Sequence, residues 1–237
     1  MKYLGKTSYY LGLQKKVLKT LKMIKPKSIL ELGFGTGQTA VKVARANPDY
    51  EITAIDLRID MVDIAQKLAE RKKVNNVHFF SDDMIDYVKN DLNRFDIIYL
   101  LYSFHHIPDP LIKKTEFLEN CYRNMKTDAY LCIAETFLPD FDIDISEFWV
   151  MRGEEGYAST WWELFSKSKT EDYSLADEVA AYCQKMELEA GNLVVARKDE
   201  YLVKRSWLQK EAEQQGFITL INKPTNGLGD GILLLQK

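Results

Sequence analysis

Four groups of residues in this chain have types and spacings that could do chemistry together. Gly33, Gly35 and Gly37 alternate with Phe34 and Thr36, and glycines placed so let a backbone turn sharply and approach a ligand closely. Asp56 closes the apolar run EITAID, where a carboxylate can accept from both hydroxyls of a ribose. His105 and His106 stand side by side beyond a second apolar run, and imidazole is suited to taking a proton near neutral pH. Glu135 ends a third run, AYLCIAE. The glycines and Asp56 suggest a nucleotide-like ligand, with the histidines and Glu135 facing a reacting centre across the same crevice.

The elements that must position these groups follow from hydrophobic periodicity. Residues 28–32 are a short apolar run; after the glycines, Ala40, Val41, Val43 and Ala44 recur at helical spacing. The order is strand, glycine loop, helix, with the helix aiming its first amide groups at the polar part of the ligand. Strands are expected over 51–56, 77–80, 95–101 and 129–135, with helices over 84–92 and around Leu111, Phe117, Leu118 and Cys121. Leu13, Val17, Leu21 and Ile24 place an amphipathic helix over 8–24, ended by Pro26, whose polar face carries Lys15, Lys16, Lys19 and Lys22. That face reads either as a solvated surface or as an anion contact. At the far end Asp199 can cap a helix over 200–215 closed by Gly216, and 217–221 and 232–235 form a final antiparallel hairpin.

Composition narrows the functional classes. A chain of 237 residues suits one α/β domain with an embellishment. A formal net charge of -3 gives no overall attraction to nucleic acid or to an anionic membrane. Cys121, Cys132 and Cys183 form no C-x-x-C pair, so neither a disulfide framework nor a metal site is indicated. No apolar run is long enough to span a bilayer and no signal peptide is evident, so a soluble cytoplasmic protein is expected.

Spacing discriminates between ligands. A dinucleotide fingerprint would need its third glycine at position 38, occupied by Gln38, and the Gly-Lys-Ser/Thr of a phosphate loop is absent. Glu31, Gly33, Gly35 and Gly37 instead resemble the first motif of class I S-adenosylmethionine (SAM) dependent methyltransferases, hydrophobic-Asp/Glu-x-Gly-x-Gly-x-Gly. The resemblance covers about 27–138 and 200–237. It implies SAM as cofactor, Asp56 as ribose ligand, Leu57 and Met61 over the adenine, Asp83 with Met84 at the adenine edge, and Leu101 among the cofactor contacts. Asp82 stands where the family commonly has glycine, a departure at that loop. The stretch Ser103-Phe104-His105-His106-Ile107-Pro108 is similar to the fourth-strand motif of small-molecule methyltransferases, implying that one histidine lies near the acceptor and that Glu135 orients it. The plainer readings are a ligand-free tight turn, strand-end and helix caps for Asp56 and Asp83, and a capping role for one histidine with the other packed. The fold implied is a Rossmann-like α/β sheet of seven strands, mostly parallel, with an antiparallel last hairpin, helices on both faces and a helical lid insertion.

That insertion, 139–199, is far longer than an ordinary connection. It is rich in acids and in aromatics, among them Trp149, Tyr157, Trp161, Trp162 and Phe165. An aromatic wall suits a small, partly apolar substrate; the alternative is a helical dimerisation element, which would make the protein a homodimer. The chain therefore divides into an N-terminal helical segment (1–26), a SAM-binding domain (27–138 with 200–237) and a lid (139–199). The expected function is methyl transfer to a small organic acceptor, to oxygen in preference to nitrogen. A nucleic-acid methyltransferase using the lysine-rich helix, which the acidic insertion argues against, and a SAM-binding protein without transfer are the alternatives.

Overall fold

Short apolar runs separated by glycine- and asparagine-containing turns pair here into one seven-stranded sheet. The computed structural model describes residues 8–109, 111–138, 140, 201–225 and 229–237, with side chains from Gly12 onward. The strands are β1 (Ser28–Leu32), β2 (Glu51–Asp56), β3 (Val77–Ser81), β4 (Ile97–Leu101), β5 (Tyr130–Thr136), β6 (Ile218–Pro224) and β7 (Asp230–Gln236). The helices are α1 (Ser8–Ile24), α2 (Gln38–Ala46), α3 (Ile59–Lys72), α4 (Met84–Tyr87), α5 (Ile112–Asn124) and α6 (Arg205–Gln215). The sheet order is β3-β2-β1-β4-β5-β7-β6. The first five strands pair in parallel, while β7 runs antiparallel to both β5 and β6.

A parallel sheet needs cover on both faces, and alternation along the strands supplies apolar groups to each. Ile29, Ile52, Tyr99, Leu101, Cys132 and Ala134 pack against Leu13, Val17 and Leu21 of α1, Val41 of α2 and Ala65 of α3. Leu30, Leu32, Ile98, Leu100, Leu131 and Ile133 point the other way, to Phe117 and Leu118 of α5 and Leu208 and Ala212 of α6. The N-terminal helix thus shares the sheet's core. From β1 the chain builds outward through β2 to β3, then returns to place β4 on the other side of β1. This reversal opens a crevice beyond the carboxyl ends of β1 and β4. Gly33 follows one strand and Ser103 the other, so the topology brings the glycine loop and the histidines together.

The expected bounds hold for α1, β1 and β2 and shift elsewhere, in several cases for identifiable reasons. The helix expected over 84–92 stops at Tyr87: Leu92 N donates to Asn124 O at 3.1 Å, and the Asn124 amide donates to Val88 O at 2.8 Å. The end of α5 thus captures backbone groups that a longer helix would have used. The helix expected from 200 starts at Arg205, because the preceding residues are extended: Leu138 N donates to Val203 O at 3.0 Å and Tyr201 N to His105 O at 2.8 Å. Leu111, expected on the buried face of its helix, is 60% exposed just before α5. The expected lid apart from Asp140, and so Trp149, Tyr157, Trp161, Trp162 and Phe165, lies outside the described residues, as does Asp199. No helix among the described residues is long and apolar enough to cross a membrane.

Candidate active site

The glycine loop is shaped by two different demands. Gly33 (φ 76) is packed so tightly that an added Cβ would lie 2.3 Å from Ser103 Cβ. The Ser103 hydroxyl donates to Leu32 O at 2.6 Å, so the ends of β1 and β4 are fastened at this point. Gly35 (φ 56) is the opposite case, since a Cβ there would meet nothing within 4 Å. Its amide donates to Asp56 Oδ2 at 2.7 Å, and Arg58 N donates to Oδ1 at 3.1 Å. Burial raises the Asp56 carboxyl above its ordinary value, with these two amides working against it. The open side of Gly35 is therefore a cradle of bare backbone beside a carboxylate, a shape that accepts a nucleoside.

Glu31 lies on β1 between the strand residues Ala54 and Tyr99. It is 2% exposed, and its Oε2 has no hydrogen-bond partner. Burial pushes its carboxyl up to about 8, opposed by the Tyr99 hydroxyl and assisted by the Asp56 charge. An orphaned buried acid beside a bare glycine loop fits a ligand carrying a cationic amine.

The remaining cofactor candidates divide. The Met84 methyl lies 3.5 Å from the position of a Gly33 Cβ, so it borders the loop. Leu57 is 69% exposed at the end of β2, accompanied by Ile59 and Phe80, two exposed apolar side chains that the motif reading did not include. Met61 and Leu101 are turned into the core. Asp83 caps α4 by accepting from Ile85 N at 2.7 Å, the plainer of its two readings.

Across the crevice, Phe104–His106 form a single 3-10 turn after β4. Alternation puts Glu135 on the face that carries Ile133, where it meets this turn. Glu135 Oε1 lies 2.9 Å from His105 Nδ1, and Oε2 accepts from His105 N at 3.2 Å. Thr136 N also donates to Oε1, at 2.7 Å. Burial alone would raise the Glu135 carboxyl, but the His105 charge and these hydrogen bonds hold it below its ordinary value. A carboxylate at Nδ1 fixes the tautomer that leaves Nε2 unprotonated, the form able to take a proton. His106 is exposed, with its ring 4.1 Å from that of His105.

Two groups at this edge escaped the sequence reading. Asp230 is fully buried, accepting from the hydroxyls of Thr136 at 2.8 Å and Tyr102 at 2.9 Å. Tyr102 occupies left-handed backbone (φ 54), and no sequence signal ties it to a residue 128 positions away. Lys114 is fully buried beneath the histidine turn; the interrupted apolar spacing of α5 was the one available clue.

Residues 29–128 match the family described as "Methyltransferase domain". A bifunctional methyltransferase of Rickettsia felis is 34% identical over 94 residues, 39% of this chain and 17% of that protein. A ubiquinone biosynthesis O-methyltransferase of Coxiella burnetii is 29% identical over 108 residues, 46% of this chain and 43% of that protein. The chain thus spans less than half the length of either relative. Mitomycin 7-O-methyltransferase MmcR superposes with a TM-score of 0.64 at 14% identity, covering 99% of this chain and 55% of that one. Human N-acetylserotonin methyltransferase in complex with SAM gives 0.57 at 16% identity, covering 94% and 51%. Residues 29–128 thus resemble a methyltransferase domain, and the described residues have the Rossmann-like fold of these solved methyltransferases.

Proposed function

We propose that this protein transfers the methyl group of SAM to a small organic acceptor, to oxygen in preference to nitrogen, with His105 as general base. The observation that carries this reading is the His105–Glu135 pair, 2.9 Å between Nδ1 and Oε1, standing beyond β4 next to the glycine loop. Bound SAM supplies a sulfonium methyl group open to in-line displacement. Gly33, Gly35, Gly37, Asp56 and Glu31 hold the cofactor, with Leu57 and Met84 bordering it; Met61 and Leu101 support it from the core. His105 Nε2 accepts the acceptor's hydroxyl proton, and Glu135 stabilises the imidazolium that results. An attacking neutral amine needs no deprotonation first, whereas an alcohol or phenol does, which is why a built base favours oxygen. His106 borders the same space.

Leu138 and Val203 are hydrogen-bonded neighbours, and Tyr201 is bonded to His105. The chain between them therefore leaves and returns beside the base. In this reading it supplies Trp149, Tyr157, Trp161, Trp162 and Phe165 as the acceptor's apolar wall, and the protein works as a soluble cytoplasmic enzyme. The row of exposed lysines on α1, which forms no ion pair among the described residues, favours a second reading, an RNA acceptor. Incubation with SAM labelled in the methyl group, followed by separation of RNA from small molecules of a cell extract, tests both. Label in the small-molecule fraction, lost in His105→Ala with SAM affinity intact, is the expected result. Label confined to RNA overturns the small-molecule reading, and SAM binding with no transfer leaves a binding protein.

A further inference from the structure

A lysine fully removed from water normally has a carboxylate against it, because burying an unpaired ammonium is costly. Lys114 breaks that pattern. It sits on the apolar face of α5 with Phe117, Leu118 and Cys121, at 0% exposure. Its neighbour Lys113 is exposed and paired with Glu116 at 2.8 Å, as a surface lysine should be. The Lys114 ammonium donates instead to two backbone carbonyls, Phe104 O at 3.0 Å and Ile107 O at 2.6 Å, and lies 4.9 Å from the centre of the Phe104 ring. Those two carbonyls flank His105 and His106.

We propose that Lys114 is the positioning residue of His105, bracketing both ends of the histidine turn so that the imidazole meets Glu135; this rests on the reading of His105 as the base. A turn of three residues has too few internal hydrogen bonds to hold a side chain in one place. The bracket provides what is missing, together with Ser103 O, which accepts from His106 N at 3.1 Å, and Tyr201 N, which donates to His105 O at 2.8 Å. The ring face of Phe104 takes up part of the remaining ammonium charge, and the Glu135 charge favours the protonated amine while burial lowers it to about 7. An apolar residue would fill the same space but would leave Ile107 O without its donor and Phe104 O with only the Ile107 amide, at 3.2 Å.

Lys114→Met and Lys114→Gln separate bracket from packing, because the amide keeps two N–H donors and the thioether has none. The chain has three histidines, and His78, paired with Glu51 at the far edge of the sheet, serves as an internal reference in a spectrum of ring-labelled protein. In Lys114→Met the His105 ring signal should move toward its position in Glu135→Gln while that of His78 stays. Turnover should fall roughly 10- to 100-fold with SAM affinity within about threefold, and Lys114→Gln should restore much of both. A folded Lys114→Met with an unmoved His105 signal overturns the proposal. Should that variant fail to fold, the unaltered protein at pH 6 decides, by showing or lacking one slowly exchanging lysine ammonium signal close to the Phe104 ring; its absence overturns the bracket. If His105→Ala retains turnover, the base assignment falls, while the ring signal still reports whether Lys114 positions the turn.

Discussion

The two sides of the crevice are built by different means. On the side proposed to hold the cofactor, beyond β1 and β2, the work is done by backbone: amides of Gly35 and Arg58 on Asp56, and the left-handed turns at Gly33, Gly35 and Gly37. On the side proposed to take the acceptor, beyond β4 and β5, it is done by side chains from separate segments, Lys114 and Glu135 around the turn of His105. Backbone geometry is dictated locally, so the first side tolerates few residue types at fixed spacing. The second depends on partners that only the tertiary fold brings together, so it can change with the substrate while the first stays the same.

The sharpest break of this contrast is Gly33→Ala, because Gly33 is where the two sides touch. A Cβ 2.3 Å from Ser103 Cβ, on left-handed backbone, should cost about 2–5 kcal/mol from overpacking and strain together. A fall in melting temperature of roughly 5–15 °C is expected, with losses in both SAM affinity and turnover. Gly35→Ala, facing open space, should lower stability by only about 1–2 kcal/mol while still impairing SAM binding. Equal destabilisation by the two substitutions, seen by thermal unfolding, would mean that the loop has no distinct ligand side.

Next in size, Glu135→Gln should act on the acceptor side alone. It leaves the His105 ring without a carboxylate, and turnover should drop about 10²–10⁴-fold, the usual range for general-base catalysis. Calorimetric SAM affinity should change less than about threefold. Asp56→Ala is the mirror experiment, removing two charge-assisted bonds worth about 1.5–3 kcal/mol each if they reach the ribose. SAM binding should weaken by about two to four decades, with turnover at saturating SAM little altered. A variant on one side that changes both quantities alike would show the two halves to be coupled beyond Ser103.

The same contrast accounts for what could be read from sequence. The strand, loop and helix around Gly33 to Ala44, and Asp56 closing β2, are local patterns, and the topology then put them at a switch point as parallel sheets require. His105 and Glu135 were legible singly, one just beyond an apolar run and one at the end of another, and strand direction put them across one crevice. That Glu135 orients a histidine was what the family resemblance implied, a relation the structure realises as a 2.9 Å contact. Lys114 was passed over in favour of Leu111, because periodicity counts apolar residues and cannot foresee a lysine buried for its hydrogen bonds. The start of α6 was misplaced because residues 201–204 are held extended by Leu138 and His105, partners remote in sequence. Asp230 with Tyr102 and Thr136 is likewise a contact between residues remote in sequence that no spacing announces.

The smallest effect, and the most direct probe of the cofactor side without its ligand, belongs to Glu31. Its carboxyl rises from an ordinary 4.5 to about 8 in the folded protein. Below pH 4.5 folded and unfolded chains both hold this proton; between 4.5 and 8 only the folded one does. Stability therefore declines as pH rises through that window, by at most about 1.4 kcal/mol per unit, and the decline ends above the folded value. Glu31→Gln cannot ionise and should lack this slope, so without SAM it should be more stable than the unaltered protein at pH 7 by roughly 1–3 kcal/mol, the gap closing toward pH 4.5. A cationic amine brought beside Glu31 would stabilise the carboxylate and expel the proton. SAM binding near pH 7 should then release a fraction of a proton, read as a calorimetric heat that depends on the ionisation enthalpy of the buffer, and Glu31→Gln should abolish that dependence. Parallel stability curves for the two proteins from pH 5 to 8 would mean that Glu31 is already ionised in the empty site, and that its orphaned oxygen is satisfied by water.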